Sequence, residues 1–198
     1  MSAAARAGST RIALVGMPGA GKTTLGVALA RALALPFVDS DRELERRFGA
    51  PVASLFHAGD FRAREAAVID ALTRGPDLVL ATGGGAVLRD DTRARLGRRC
   101  YVIHLASDLD TLWRRTRDDA SRPLLDVDDP RAALAALHDA REALYRACAH
   151  CRIETSGQSV DQSLAAALDA LAAGRWPLLD FRAFYQGESE PVATRRSG

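Results

Sequence analysis

The residues best suited to chemistry lie near the start of the chain, in Gly16–Thr23, which reads Gly-Met-Pro-Gly-Ala-Gly-Lys-Thr. This segment follows an apolar run, opens a helix-like stretch, and fits the G-x-x-x-x-G-K-[ST] pattern of a phosphate-binding loop. Its glycines let backbone N–H groups surround a phosphate, and the helix N-terminus adds partial positive charge. Lys22 is expected to reach the β- and γ-phosphates, and the Thr23 hydroxyl to bind Mg²⁺. The predicted nucleotide-binding residues are Gly19, Ala20, Gly21, Lys22, Thr23 and Thr24.

The composition supports a special role for Lys22. Of 27 basic residues it is the one lysine, and the others are arginines. A lysine ammonium is a compact charge on a flexible stem, whereas the arginine guanidinium is planar and wider. The single lysine therefore indicates that a compact ammonium is needed at position 22.

Two features narrow the class of phosphate-binding protein. The chain contains no asparagine, so it lacks the N-K-x-D element with which GTPases recognise guanine. The apolar run Leu78–Ala81 ends in Thr82 rather than in the acidic residue typical of motor and helicase ATPases. The pattern therefore favours a kinase of a small molecule, in which the carboxylates near the metal come from elsewhere in the chain.

Two carboxylates follow the second predicted strand, in Val38-Asp39-Ser40-Asp41. In an open parallel sheet, this end of the strand faces the ligand crevice. Residues two apart in an extended strand end point the same way, so one carboxylate can hold Mg²⁺ while the other accepts the proton of an attacking hydroxyl. Ser40 or Asp41 could instead act only as the N-cap of the next helix.

Three consecutive glycines, Gly83–Gly85, directly follow the third predicted strand. Glycines allow a substrate ring to approach the backbone closely, and their N–H groups can bind hydroxyl or carboxylate oxygens. An ordinary tight turn is the alternative explanation.

Short apolar runs alternate with longer amphipathic stretches along the chain, which is typical of an α/β fold with a parallel sheet. The predicted strands are Arg11–Val15, Phe37–Asp39, Leu78–Thr82, Cys100–Leu105 and Arg152–Thr155. The predicted helices are Thr23–Leu33, Asp41–Phe48, Arg62–Leu72, Asp91–Leu96, Leu109–Thr116, Arg131–Ala147 and Val160–Ala172. We expect one kinase domain over residues 11–174, after a flexible tail at 1–10 and before a partly disordered extension at 175–198. The acidic stretch Asp118–Asp129 is expected to be a mobile loop.

Composition excludes several other classes. The 198 residues carry a net charge of only +2 from scattered charges, which gives no basis for nucleic-acid binding. No apolar run of about 18 residues exists, and the first residues lack the apolar region of a signal peptide. Three cysteines do not make a disulfide framework. We therefore expect a cytoplasmic protein, monomeric, with no membrane or nucleic-acid partner.

The combination of motifs resembles the shikimate kinases. The motifs G-x-P-G-x-G-K-T, D-x-D, F-R-x-x-E, T-G-G-G, R-P-L-L and R-x-x-L-Y occur in the order and approximate spacing of that family, over about residues 11–172. The resemblance implies the fold of nucleoside monophosphate kinases, with five parallel strands in the order 2-3-1-4-5, helices on both faces, a lid loop and a substrate-binding helical segment. It also implies ATP- and Mg²⁺-dependent formation of shikimate 3-phosphate in the biosynthesis of aromatic amino acids.

Roles for single residues are implied by the same resemblance. Asp41 would meet the acceptor hydroxyls, and Asp39 would lie in the magnesium shell. Arg62 and Arg141 would clamp the shikimate carboxylate, beside Gly83, Gly84 and Gly85. Arg122 would swing in with the lid onto the transferring phosphoryl group. On the nucleotide side, Arg115 would stack on adenine and Gln158 would lie near the base.

Two alternatives remain open from the residues. One is a related kinase of another sugar acid, such as gluconate, which would share Lys22 and Thr23. The other is a catalytically silent ligand sensor. Such a sensor would not need Lys22, Asp41 and Arg122, all of which are present.

Overall fold

The apolar runs form a single parallel sheet, as predicted. Its strands are β1 (Arg11–Val15), β2 (Phe37–Asp39), β3 (Leu78–Ala81), β4 (Tyr101–Ala106) and β5 (Cys151–Glu154). Their order is β2-β3-β1-β4-β5, and every neighbouring pair is parallel. The predicted α/β fold and strand order are confirmed in this computed structural model, which describes residues 10–57, 59–117 and 127–174.

Eight α-helices occur in these described ranges. They are α1 (Lys22–Ala32), α2 (Ser40–Phe48), α3 (Val52–Phe56), α4 (Phe61–Arg74), α5 (Asp90–Arg99), α6 (Leu109–Thr116), α7 (Pro130–Cys148) and α8 (Val160–Ala173). All but α3 match predicted helices; α3 has five residues, too few to display a helical period. Within the same ranges, no helix is both long and apolar enough to cross a membrane.

The direction of the connections decides which face each helix covers. The chain passes from β1 to β2 at one edge and then returns through β3 and β4 to β5 at the other edge. Right-handed crossovers therefore place α1 on one face of the sheet and α4, α5 and α7 on the opposite face. Because all strands are parallel, their carboxyl ends lie at the same end of the sheet, and the loops that follow β1, β2 and β3 meet there.

The main core is formed by the sheet and the helices that cover it. Its largest fully buried side chains include Leu14, Leu80 and Ile103 from the strands, together with Leu29 of α1 and Tyr145 of α7. A smaller apolar cluster, made of Leu44, Leu55, Phe61 and Val68, joins α2, α3 and α4. This second cluster fixes the first turn of α4 near the end of the sheet where the loops meet.

The start of α2 differs from the prediction. The helix begins at Ser40, so its N-cap is Asp39, whose side chain accepts hydrogen bonds from the N–H groups of Asp41 and Arg42. Neither Ser40 nor Asp41, the two residues considered as alternative N-caps, is therefore the cap of this helix. Asp39 and Asp41 also do not share an extended strand end, because the backbone turns into the helix between them.

The predicted domain bounds stay a prediction. Residues 1–9 and the extension at 175–198 lie outside the described residues, as does most of the predicted loop Asp118–Asp129, including Arg122.

Candidate active site

The loop Gly16–Thr23 connects β1 to α1 and forms the floor of a cleft of about 540 Å³. Gly16, Gly19 and Gly21 adopt positive φ angles of 149°, 83° and 92°. At Gly16 a Cβ atom would also collide with the Leu105 carbonyl oxygen, so a side chain does not fit there. The loop thus depends on glycine to bring its backbone N–H groups to one side.

Lys22 lies at the start of α1 and contacts the loop itself. Its Nζ donates to the carbonyl oxygens of Gly16 at 2.8 Å and Met17 at 2.9 Å. The ammonium is therefore held over the mouth of the loop, where it can exchange these carbonyls for phosphate oxygens. This position agrees with the role expected from the sequence.

Thr23 and Asp39 form a pair of oxygen donors beside the loop. The Thr23 hydroxyl donates to Asp39 Oδ2 at 3.0 Å, while Asp39 Oδ1 caps α2. Both residues line the cleft. Mg²⁺ prefers oxygen ligands and is commonly bound by one or two protein groups together with phosphates and water. The two oxygen donors therefore fit Mg²⁺. In the described part of the chain, no cluster of three or more His, Cys, Asp or Glu side chains is suited to bind a metal.

Asp41 lies in the first turn of α2 and faces the glycine turn after β3. A Cβ atom on Gly83 would lie 2.6 Å from Asp41 Oδ1 and 2.9 Å from Glu65 Oε1, so both carboxylates reach this one glycine. Burial raises the pKa of Asp41 to about 6, and the charges of Asp39 and Glu65 add to the rise while Lys22 opposes it. Asp41 also lines the cleft, within reach of both the loop and the turn.

The glycine turn Gly83–Gly85 is held from three sides. Ser40 Oγ accepts a hydrogen bond from the N–H of Gly83 at 2.9 Å, which ties the turn to the end of β2. Arg141, whose side chain is buried on α7, donates to the Gly84 carbonyl at 3.3 Å. A Cβ atom on Gly85 would collide with the Arg62 guanidinium. The turn thus has Arg62 and Arg141 beside two neighbouring glycines.

Arg62 is fixed in the first turn of α4. Its Nη1 donates to Glu65 Oε2 at 2.6 Å, and its Cζ lies 5.0 Å from the centre of the Phe61 ring and 5.5 Å from that of Phe56. Guanidinium groups are attracted to aromatic faces at such distances. Burial raises the pKa of Glu65, and Arg62 and Arg141 oppose that rise.

Glu65 and Phe56 have no role in the sequence-based prediction, although they contact Arg62. Glu65 could have been found from its spacing, since residues three apart on a helix are neighbours and F-R-x-x-E places an acid there. Phe56 carries no comparable signal because its helix was not predicted.

Arg115 and Gln158, which were predicted to lie near the adenine, both line the cleft. Arg115 donates to the carbonyl oxygens of Gly19 at 3.1 Å and Thr155 at 3.2 Å, and so connects the phosphate-binding loop to the end of β5. All predicted site residues that the structure describes thus lie together near the carboxyl ends of the strands. Arg122 lies outside the described residues.

Comparisons with known proteins agree with this site. The family model for shikimate kinase matches residues 18–172. A shikimate kinase of Burkholderia thailandensis is 49% identical over 160 residues, which cover 79% of this chain and 87% of the relative. One of Ralstonia nicotianae is 50% identical over 156 residues, covering 77% and 82% respectively.

Solved structures give the same result. Shikimate kinase from Acinetobacter baumannii, in complex with shikimate, superposes with a TM-score of 0.79 at 40% identity, covering 85% of this chain and 96% of that one. A gluconokinase from Sinorhizobium meliloti shares the fold, with a TM-score of 0.55 at 18% identity over 91% of this chain and 98% of that one. The prediction of a shikimate kinase is confirmed, whereas the gluconate-type kinase and the silent sensor are not supported. The chain belongs to the shikimate kinase family, and its activity is that of an ATP-using phosphotransferase of the shikimate pathway.

Proposed function

We propose that this cleft transfers the γ-phosphate of ATP, bound with Mg²⁺, to the 3-hydroxyl of shikimate. The observation that carries the proposal is the position of Asp41. It lines the cleft above the phosphate-binding loop and also lies against Gly83, in the turn that adjoins Arg62 and Arg141. A phosphate donor and a carboxylated acceptor bound on the two sides would meet at Asp41.

The nucleotide half would be bound by the backbone of the loop Gly16–Thr23 and by Lys22. Amide N–H groups of the loop and the Lys22 ammonium offer donors for the β- and γ-phosphates. Thr23 and Asp39 would hold Mg²⁺, which supplies positive charge at the phosphates when it is bound. Arg115 and Gln158 would flank the adenine, because both line the end of the cleft near β5.

The acceptor half would be bound through its carboxylate. A guanidinium group matches a carboxylate through paired N–H···O hydrogen bonds. Arg62 and Arg141 approach the glycine turn from α4 and α7, so two guanidinium groups can grip one carboxylate from different directions. Gly83–Gly85 leaves room for the acceptor ring beside the backbone.

In the transfer step, the acceptor hydroxyl oxygen forms a bond to the γ-phosphorus as the bond from that phosphorus to the bridging oxygen breaks. Asp41 accepts the proton of the hydroxyl, and ADP carries away the bonding electron pair. Arg122 would neutralise the moving phosphoryl group from the lid, where it would also help to exclude water. The cytoplasmic location and the monomeric state stay predictions.

A coupled assay of ADP release tests the proposal. Wild-type protein should release ADP only with shikimate and Mg²⁺ both present, and Asp41→Asn should lose most of its kcat while binding ATP with near-normal affinity. A kcat near that of wild type in Asp41→Asn would contradict the assignment of Asp41. Equal ADP release with gluconate in place of shikimate would contradict the assigned acceptor.

A further inference from the structure

The carbonyl oxygen of Gly84 is shared by two donors from α7. The Tyr145 hydroxyl donates to it at 2.6 Å, and Arg141 Nη1 donates to it at 3.3 Å. Tyr145 and Arg141 are four residues apart, so they lie on one face of the helix. The shorter bond belongs to tyrosine, and tyrosine is therefore the principal partner of this carbonyl.

Fixing this carbonyl also fixes the next amide. The described residues contain no cis peptide bond, so the Gly84 carbonyl and the Gly85 N–H lie in one trans peptide plane and point in opposite directions. Since the carbonyl points to α7, the N–H of Gly85 points away from α7. The hydrogen bond from Tyr145 thus adds to the contacts of Ser40 and Arg141 in setting the orientation of a turn whose glycines have wide conformational freedom.

The surroundings of Tyr145 leave its hydroxyl little choice of acceptor. The side chain is fully buried, and its ring stacks on His104 with the ring centres 5.1 Å apart. Met17 Sδ lies 3.7 Å from the hydroxyl, but a thioether is a weak acceptor. Burial raises the pKa of Tyr145 to about 12, so the hydroxyl keeps its proton and remains a donor at neutral pH.

The same arrangement affects Arg141. A guanidinium carries five N–H donors; one of them contacts Gly84 at the longer distance, and the guanidinium also forms a hydrogen bond with the Tyr145 hydroxyl. With the carbonyl already bound by tyrosine, the remaining donors of Arg141 are not required to satisfy the turn. They can be directed to an incoming carboxylate.

We propose that Tyr145 is a positioning residue of the acceptor site, which orients the turn Gly83–Gly85 and leaves Arg141 available for the acceptor carboxylate. It acts through Gly84 and through its direct contact with Arg141, without touching the acceptor or ATP itself. This inference rests on the proposed function, because it assumes that the turn and Arg141 bind shikimate.

The test is Tyr145→Phe, which removes one oxygen and keeps the ring that stacks on His104. Loss of one hydrogen bond to a buried carbonyl should raise the KM for shikimate about five- to tenfold. The KM for ATP should stay within about twofold of wild type, since the phosphate-binding loop keeps its own contacts. Shikimate affinity measured by calorimetry without ATP should fall by the same factor as the KM rises.

Tyr101→Phe is the matched control. The Tyr101 hydroxyl also donates to a backbone carbonyl, that of Ala170 at 3.0 Å, but it does so between β4 and α8. Both variants should lower the melting temperature by a few degrees, whereas only Tyr145→Phe should change shikimate binding. A merely structural role predicts that the two variants behave alike.

The outcomes separate this inference from the proposed function. Wild-type protein that fails to release ADP with shikimate would contradict the proposed function itself. Active wild type together with an unchanged shikimate KM in Tyr145→Phe would overturn the inference alone. An equal rise in both KM values would overturn it as well, because the effect would then not be confined to the acceptor half.

Discussion

Replacing Arg62 with alanine tests the carboxylate clamp most sharply. In the complex, Arg62 would be one partner of a charge pair with the acceptor carboxylate, largely removed from water. Truncating one partner of such a pair typically costs about 2–5 kcal/mol. At about 1.4 kcal/mol for each factor of ten, Arg62→Ala should raise the KM for shikimate roughly thirtyfold or more. The KM for ATP should hardly change, because none of the proposed nucleotide contacts involves Arg62.

The structure supplies a close control on the same helix. Arg64 also pairs with an acid, Asp60, at 2.8 Å, and its Cζ lies 4.7 Å from the centre of an aromatic ring, that of Phe48. Residues two apart on a helix face different directions, so Arg64 should not reach the same carboxylate as Arg62. Arg64→Ala should therefore leave the shikimate KM within about twofold of wild type.

A double variant separates lost binding from lost stability. Arg62→Ala leaves the buried Glu65 carboxylate without its hydrogen-bonded partner and with only the more distant charge of Arg141, which should lower the free energy of unfolding. Adding Glu65→Gln removes that buried charge, so stability should recover while the shikimate KM stays high. Steady-state kinetics with each substrate varied, beside thermal melts, measures both effects. A shikimate KM within threefold of wild type in Arg62→Ala would refute the clamp.

Three further predictions concern other parts of the molecule. Lys22→Met should keep the fold but reduce kcat far below a tenth of wild type, and retention of a tenth or more would show that this loop is not the working nucleotide site. Truncation after Gly174 should retain kinase activity, because the last described helix ends at Ala173; a folded but inactive truncation would show that the extension joins the site. Burial lowers the pKa of His104 to about 4, and Glu142, 3.6 Å away, opposes this while Arg152 and Arg146 reinforce it. Between pH 6.5 and 4 the unfolded chain therefore binds a proton that the folded chain does not. The contribution of His104 to the free energy of unfolding is at its full value above pH 6.5. On acidification this contribution falls by up to about 1.4 kcal/mol per pH unit. Urea denaturation of His104→Gln should show a smaller loss than wild type between pH 7 and 5, and an equal loss would contradict the assignment.

The fold could be predicted well because its strands are short, apolar and separated by amphipathic stretches. Boundary errors arose where hydrogen bonding rather than pattern decides. Thr82 was predicted to end β3, yet the strand ends at Ala81 while the backbone and side chain of Thr82 both donate to the Leu14 carbonyl. Hydrogen bonding also decides the start of α2, which begins one residue earlier than expected and has Asp39 as its N-cap.

The place of a residue in the candidate site was predictable where a motif follows a strand, as for Lys22 and Asp41, which both line the cleft. It was not predictable where a residue acts through another side chain or through the backbone. Glu65 acts on Arg62, and Tyr145 acts on the Gly84 carbonyl 61 positions away in sequence. Such contacts depend on how α4 and α7 pack beside the sheet, and local sequence does not record that packing.

The most direct test of the account is a crystal structure with shikimate, Mg²⁺ and a non-hydrolysable ATP analogue. The shikimate carboxylate should lie between the guanidinium groups of Arg62 and Arg141, with the 3-hydroxyl within hydrogen-bond distance of Asp41. The γ-phosphate should lie in line with that hydroxyl, with Mg²⁺ beside Thr23 and Asp39. A carboxylate bound away from both arginines, or a hydroxyl out of reach of Asp41, would contradict the proposed mechanism.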